Sequence, residues 1–159
     1  MDAIVAVYSD WGIGRAGTQP VTLRADRRRF RQVTEGAAVI VGRKTLADFP
    51  GGAPLKNRVN IVLTRRDIEI EGAVVVHDAA AALAEAGRYP RAIVIGGESV
   101  YRQLLPHIDR VFVTKIDAKP HSDVFFPDLD ASSDWRVSDA GVELEEDGVR
   151  YRFTVYERR

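Results

Sequence analysis

Asp26 carries the clearest chemical signal in the sequence. Leu23, Asp26, Phe30 and Val33 recur at helical spacing, so they share one face of a helix predicted over Leu23–Thr34. Arg24, Arg28 and Arg31 fall on the other face, and the run Arg27-Arg28-Arg29 reads as solvated surface. An acid inside an apolar stripe is disfavoured as a carboxylate, so its pKa rises toward the range in which a general acid or base works. An acid near a helix start also meets the positive end of the helix dipole. Spacing therefore leaves a structural role open, and the lid-like loop that precedes the helix favours chemistry.

Three strand ends have the composition of an anion cradle. Val94-Ile95-Gly96-Gly97-Glu98-Ser99 runs from a strand through paired glycines into a helix, where backbone amides and the helix dipole favour a phosphate. Gly42-Arg43-Lys44-Thr45 and Leu63-Thr64-Arg65-Arg66 each close a strand with cations and a hydroxyl. Together they suit a ligand with several phosphate groups, such as NADPH, whose 2′-phosphate is commonly met by arginine. Gly12-Ile13-Gly14-Arg15-Ala16-Gly17 matches the G-x-G-x-x-G pattern, but no helix opens on it and no acid ends the next strand. It reads instead as part of a glycine-hinged loop, Ser9–Thr22, over the carboxyl end of the first strand, where open α/β sheets bind ligands and where lids close.

Other chemistries find little support. The three histidines, His77, His107 and His121, lack metal-ligand spacing, and no cysteine is present, so no metal site is expected and thiol or disulfide chemistry is excluded. Asp123, Asp128 and Asp130 read as turn acids around a Phe-Phe-Pro segment. Lys+Arg and Asp+Glu both number 23, a balance unlike that of a non-specific nucleic-acid binder. No apolar run is long enough to span a membrane, and Met1-Asp2-Ala3 does not open a signal peptide. The expectation is a cytoplasmic protein without nucleic-acid or membrane partners.

The elements that must hold these residues alternate. Strands are predicted at Ala3–Tyr8, Ala37–Val41, Arg58–Leu63, Ala73–Val76, Ala92–Ile95 and Arg110–Ile116. Helical segments are predicted at Leu23–Thr34, Lys44–Phe49, Asp78–Ala86 and Ser99–Leu105. The tail alternates in period two at Trp135–Ser138 and Val149–Tyr156, which reads as an antiparallel hairpin. With 159 residues this is one α/β domain, 1–159, with a central, mostly parallel eight-stranded sheet, helices on both faces and an antiparallel C-terminal hairpin.

Taken in order, these pieces resemble bacterial dihydrofolate reductase along essentially the whole chain. The matching segments include Ala3–Tyr8, the Gly12-Ile13-Gly14 loop, Asp26 with Phe30, Val41-Gly42-Arg43-Lys44-Thr45, Arg58–Thr64, Val94–Tyr101, Val113–Ala118, Phe126-Pro127-Asp128 and the closing Tyr-Arg-Phe. The resemblance implies NADPH-dependent reduction of 7,8-dihydrofolate by a monomeric enzyme. It makes Asp26 the acid that binds the pterin and promotes its protonation, with Thr114 tied to it. It places Ile4, Val5, Phe30, Phe49 and Tyr101 around the substrate and Arg58 on its glutamate carboxylate. It assigns Ala6, Ile13, Gly14, Ile95, Gly96, Gly97, Glu98, Ser99, Val100 and Tyr101 to the nicotinamide and pyrophosphate. Arg43, Lys44, Thr45, Thr64 and Arg65 fall on the adenosine and 2′-phosphate side, with His77 nearby. The chain departs from the family pattern at Val21, where a tryptophan usually follows the proline, and at Gln19, Arg24 and Leu46. Those departures keep two other readings open: a related NADPH reductase of another pterin or of a ribosylaminopyrimidine, and a non-catalytic nucleotide- or folate-binding homologue.

Overall fold

A computed structural model describes residues 1–159. The β-branched runs form the interior of the sheet, as expected for strands covered on both faces. In chain order the strands are β1 (Asp2–Val7), β2 (Gly12–Gly14), β3 (Ala38–Gly42), β4 (Val59–Leu63), β5 (Ala73–Val76), β6 (Ala92–Gly96), β7 (Arg110–Ile116), β8 (Val124–Phe125), β9 (Trp135–Asp139), β10 (Leu144–Glu146) and β11 (Val149–Arg158). The helices are α1 (Arg24–Thr34), α2 (Arg43–Ala47), α3 (Ala79–Ala86) and α4 (Glu98–Leu104). The main sheet has the order β10-β11-β7-β1-β6-β3-β4-β5. From β7 to β5 every neighbour is parallel, and β11 joins β7 antiparallel.

Alternation along the strands builds two apolar layers. Ala3, Val5 and Val7 of β1 and Val111 and Val113 of β7 face one layer, which α3 covers with Ala82 and Ala86 and α4 with Val100, Tyr101 and Leu104. Ile4, Val39, Val41, Val62, Ile93 and Ile95 face the other, against Leu46 of α2 and Phe30 and Val33 of α1. The second layer places Asp26 of α1 over the same sheet face as Ala6 and Thr114, which are register partners across β1 and β7.

Local signals explain the helix ends unevenly. Asp78 caps α3 by accepting the Ala81 N–H at 2.7 Å, a contact worth about 1 kcal/mol. Leu23 gives α1 no side-chain cap. Its first amides are taken instead by Glu146 on β10, which accepts from Arg24 N at 2.7 Å and Ala25 N at 3.0 Å. That carboxylate meets the positive end of α1, and the Arg24 N–H bond is the foremost cause holding its pKa below the ordinary range.

Three sequence expectations need correction. Ser9–Thr22 is not loop throughout: Gly12–Gly14 forms β2, which pairs antiparallel with β8. Trp135–Ser138 does pair antiparallel with the end of the Val149–Tyr156 strand, as expected, but the two are not joined by a tight turn. An additional strand, β10, makes the tight hairpin with β11 through Asp147 and Gly148, both at positive φ, and β9 pairs with the far end of β11. Asp123 and Asp130 are more than turn acids. Asp123 accepts the Ala16 N–H at 2.9 Å, and Asp130 binds Lys115 Nζ at 2.7 Å and the Tyr156 hydroxyl at 2.6 Å. Asp128 does act within its own turn, accepting from Asp130 N and Ala131 N.

Candidate active site

Asp26 and Thr114 meet although 88 residues separate them: Thr114 Oγ1 donates to Asp26 Oδ1 at 2.6 Å. Thr114 is 2% exposed in the middle of β7, so its hydroxyl is a fixed point. The bond fixes the carboxylate rotamer and takes Oδ1, while Oδ2 makes no hydrogen bond to the protein. Burial pushes the Asp26 carboxyl above the ordinary carboxylate range. The Thr114 bond and then the Arg29 and Arg27 charges pull the other way without cancelling the rise.

Apolar side chains frame this pair. Ile4, Phe30, Phe49 and Ile95 belong to one packed cluster on the α1 face of the sheet. Val5 points to the opposite layer. Tyr101 also lies there, fully buried, and its hydroxyl crosses to donate to the Ile4 carbonyl at 2.6 Å. Arg58 sits below the C-terminal end of α1, with Nε donating to Thr34 Oγ1 and Nη1 to the Lys56 carbonyl, which leaves Nη2 without a protein partner.

The anion-cradle segments converge on one edge of the sheet. Gly42 is the register partner of Leu63, and Val41 is that of Gly96, so the ends of β3, β4 and β6 lie side by side. Arg43, Lys44 and Thr45 open α2 directly from that edge. Thr64 and Arg65 follow β4, and His77 Nδ1 lies 2.9 Å from the Thr64 carbonyl oxygen. The glycines leave space that a side chain would fill. A Cβ on Gly97 would stand 2.8 Å from Thr45 Oγ1, and one on Gly96 would meet the Tyr101 ring at 3.4 Å. An open backbone edge flanked by guanidinium, ammonium and hydroxyl groups fits a dinucleotide phosphate chain. Within this group the side chains of Glu98 and Ser99 are engaged locally: Glu98 accepts the Phe125 N–H at 2.6 Å and Ser99 Oγ accepts from Gln103. Val100 is packed in the core. Ile13 and Gly14 lie in β2, which β8 holds beside the end of β1.

A family model described as Dihydrofolate reductase matches residues 1–158. The chain belongs to the dihydrofolate reductase family. A dihydrofolate reductase of Bacillus subtilis is 35% identical over 159 residues, covering 98% of this chain and 93% of the relative. One from Mycobacterium tuberculosis is 36% identical over 151 residues, covering 92% and 90%. A solved dihydrofolate reductase from Enterococcus faecalis, complexed with NADP(H) and RAB-propyl, superposes with a TM-score of 0.89 at 32% identity, covering 99% of this chain and 95% of that one. The α/β architecture expected from the sequence is thus met, and the chain is an NADPH-dependent dihydrofolate reductase. No helix of it is long and apolar enough to cross a membrane.

Sequence reasoning missed what holds the loop before α1 in this reductase. The Tyr8 hydroxyl donates to the Val21 carbonyl at 2.8 Å and accepts the Val21 N–H at 3.0 Å. Tyr8 is 3% exposed and packs with Leu23, Ile116 and Tyr151. It therefore pins the chain to the sheet at the residue where the family pattern is broken. The available signal was a phenol at the end of an otherwise aliphatic strand, since a buried tyrosine needs a partner for its hydroxyl. Tyr8→Phe leaves the Val21 amide and carbonyl unpaired and is expected to lower unfolding free energy by about 1–2 kcal/mol. Urea denaturation measures that loss, and faster proteolysis between Ser9 and Thr22 is its local counterpart.

Proposed function

We propose that this reductase converts 7,8-dihydrofolate to 5,6,7,8-tetrahydrofolate with the pterin held against Asp26 and the cofactor along the Gly42, Thr64 and Gly96 edge. The supporting observation is the Asp26–Thr114 pair, a half-buried carboxylate with one oxygen committed and one free, on the sheet face that leads to that edge. Bound NADPH supplies a hydride to the pterin C6. Arg43, Lys44, Thr45, Thr64 and Arg65 would hold its phosphates, with the Gly96-Gly97 backbone closing over them.

Asp26 Oδ2 accepts from the pterin amino group and ring nitrogen, which orients the ring. Its negative charge, in a cleft of low polarity, stabilises a proton at pterin N5, and that makes the imine electrophilic at C6. Thr114 holds the carboxylate in place so that this field needs no reorganisation. The β2–β8 pairing and the Asp123–Ala16 bond fold the Ser9–Thr22 segment against the end of β1, from where it excludes water.

The test is the fall in nicotinamide absorbance when purified protein is mixed with NADPH and dihydrofolate. Turnover well above the protein-free control is expected; a rate equal to the control refutes the reading. Arg58 separates a glutamate-tailed substrate from a ribosylaminopyrimidine. Arg58→Ala is expected to raise the dihydrofolate KM by about tenfold or more, through loss of a charge-assisted bond, with kcat little changed. Steady-state kinetics checks it, and an unchanged KM would argue for a substrate without that carboxylate.

A further inference from the structure

Arg29 departs from the expectation that the Arg27-Arg28-Arg29 run is solvated surface. Arg27 and Arg28 are exposed, but Arg29 is half-buried. Its guanidinium carbon lies 4.5 Å from the centroid of the Phe153 ring and 5.7 Å from that of Phe112. Those rings fix where the cation stands. Phe153 is the direct cross-strand partner of Thr114, and Phe112 lies two residues from Thr114 on the same strand. Both therefore project from the same sheet face as the Thr114 hydroxyl, and directly opposed residues have Cβ atoms only about 5 Å apart. Asp26 and Arg29 are three residues apart on α1 and so are neighbours on the helix surface as well. Helix spacing and strand register independently bring the guanidinium beside the Asp26–Thr114 pair.

We propose that Arg29 is the built-in counter-charge of Asp26, a positioning residue that sets the pH at which the site gives up its proton. The inference rests on the proposed role of Asp26. Two aromatic faces hold the cation near the carboxylate without any direct ion pair between them, so Oδ2 stays available to a ligand. The other groups around the pair are Arg27 on the same helix, Tyr8 at the end of β1 and Tyr101 on α4; the two phenols remain neutral, burial being the first cause of each raised pKa. Asp139 at the end of β9 is the second acid acting on Arg29, and Arg110, which shares the Phe112 ring, is paired with Asp2. Arg29 thus supplies the larger share of the positive field at Asp26 from its own helix. Removing it makes the site more negative, which favours the protonated form whether the proton resides on Asp26 or on a bound pterin.

The experiment compares Arg29→Gln, Arg29→Lys and the unaltered protein in two readouts. The first is the titration of the Asp26 side-chain carbon by NMR without ligands. The second is the pH profile of hydride transfer in single turnovers. In Arg29→Gln both midpoints are expected to move to higher pH, and above the midpoint the transfer rate rises by about threefold or more. Arg29→Lys keeps the charge and is expected to restore both midpoints. Midpoints that stay put in Arg29→Gln, or that move equally in Arg29→Gln and Arg29→Lys, overturn the inference. The ligand-free titration answers even if dihydrofolate is not turned over, so failure of the proposed reaction and failure of this inference are distinguishable.

Discussion

Asp26→Asn is expected to lower hydride transfer at neutral pH by about a hundredfold or more, the scale of a positioned acid–base group. Asparagine keeps an oxygen for the Thr114 hydroxyl, so the bond across the cleft survives while the charge is lost. The deficit should shrink toward acid, where solvent protonates dihydrofolate without help. Stability should move the opposite way. Burial raises the folded-state pKa of Asp26 above its unfolded value, so the folded form binds the proton more tightly. The contribution of Asp26 to stability is then fullest below the unfolded pKa and declines as pH rises toward the folded one. At neutral pH Asp26→Asn removes that penalty and is expected to melt at the same temperature as the unaltered protein or higher, with the difference fading in acid. Calorimetry and single-turnover kinetics on the same sample check both halves. A variant that loses activity because it unfolds would show the reverse.

Gly96→Ala is expected to weaken NADPH binding by about tenfold or more, because Gly96 sits at φ 126, a conformation that costs side-chain-bearing residues about 1–3 kcal/mol. The added methyl would also touch the Tyr101 ring at 3.4 Å, and the Tyr101 hydroxyl is committed to Ile4. The backbone therefore has to give at the end of β6, where the cofactor edge is built. Gly97→Ala acts on the same edge from the other side by displacing Thr45, which a Cβ would meet at 2.8 Å. Calorimetric titration with NADPH measures both, and wild-type affinity in Gly96→Ala would remove Gly96 from the cofactor edge.

The parts of this molecule that sequence reveals are those governed by local pattern. The runs Ala38–Gly42 and Ala92–Gly96 are apolar throughout, and Val59–Leu63 is apolar but for Asn60, because both faces of the central sheet are covered. Asp26 stands out because helical spacing marks the stripe it interrupts. What was not legible depends on partners distant in the chain. Gly12–Gly14 becomes a strand only because Val124–Phe125 lies beside it. Glu146 caps α1 from 121 or more residues away, and Arg29 leaves the solvent only because Phe112 and Phe153 offer their rings. The β10–β11 turn is a different case: Asp147-Gly148 is a strong short-range hairpin signal that marks the extra strand locally.

The pH dependence of single-turnover hydride transfer from NADPH to dihydrofolate tests the role of Asp26 most directly. The expected result is a rate that falls about tenfold per pH unit above a single midpoint, with that midpoint lost in Asp26→Asn. A rate independent of pH, or a profile that Asp26→Asn leaves unaltered, would show that the carboxylate beside Thr114 does not govern the proton.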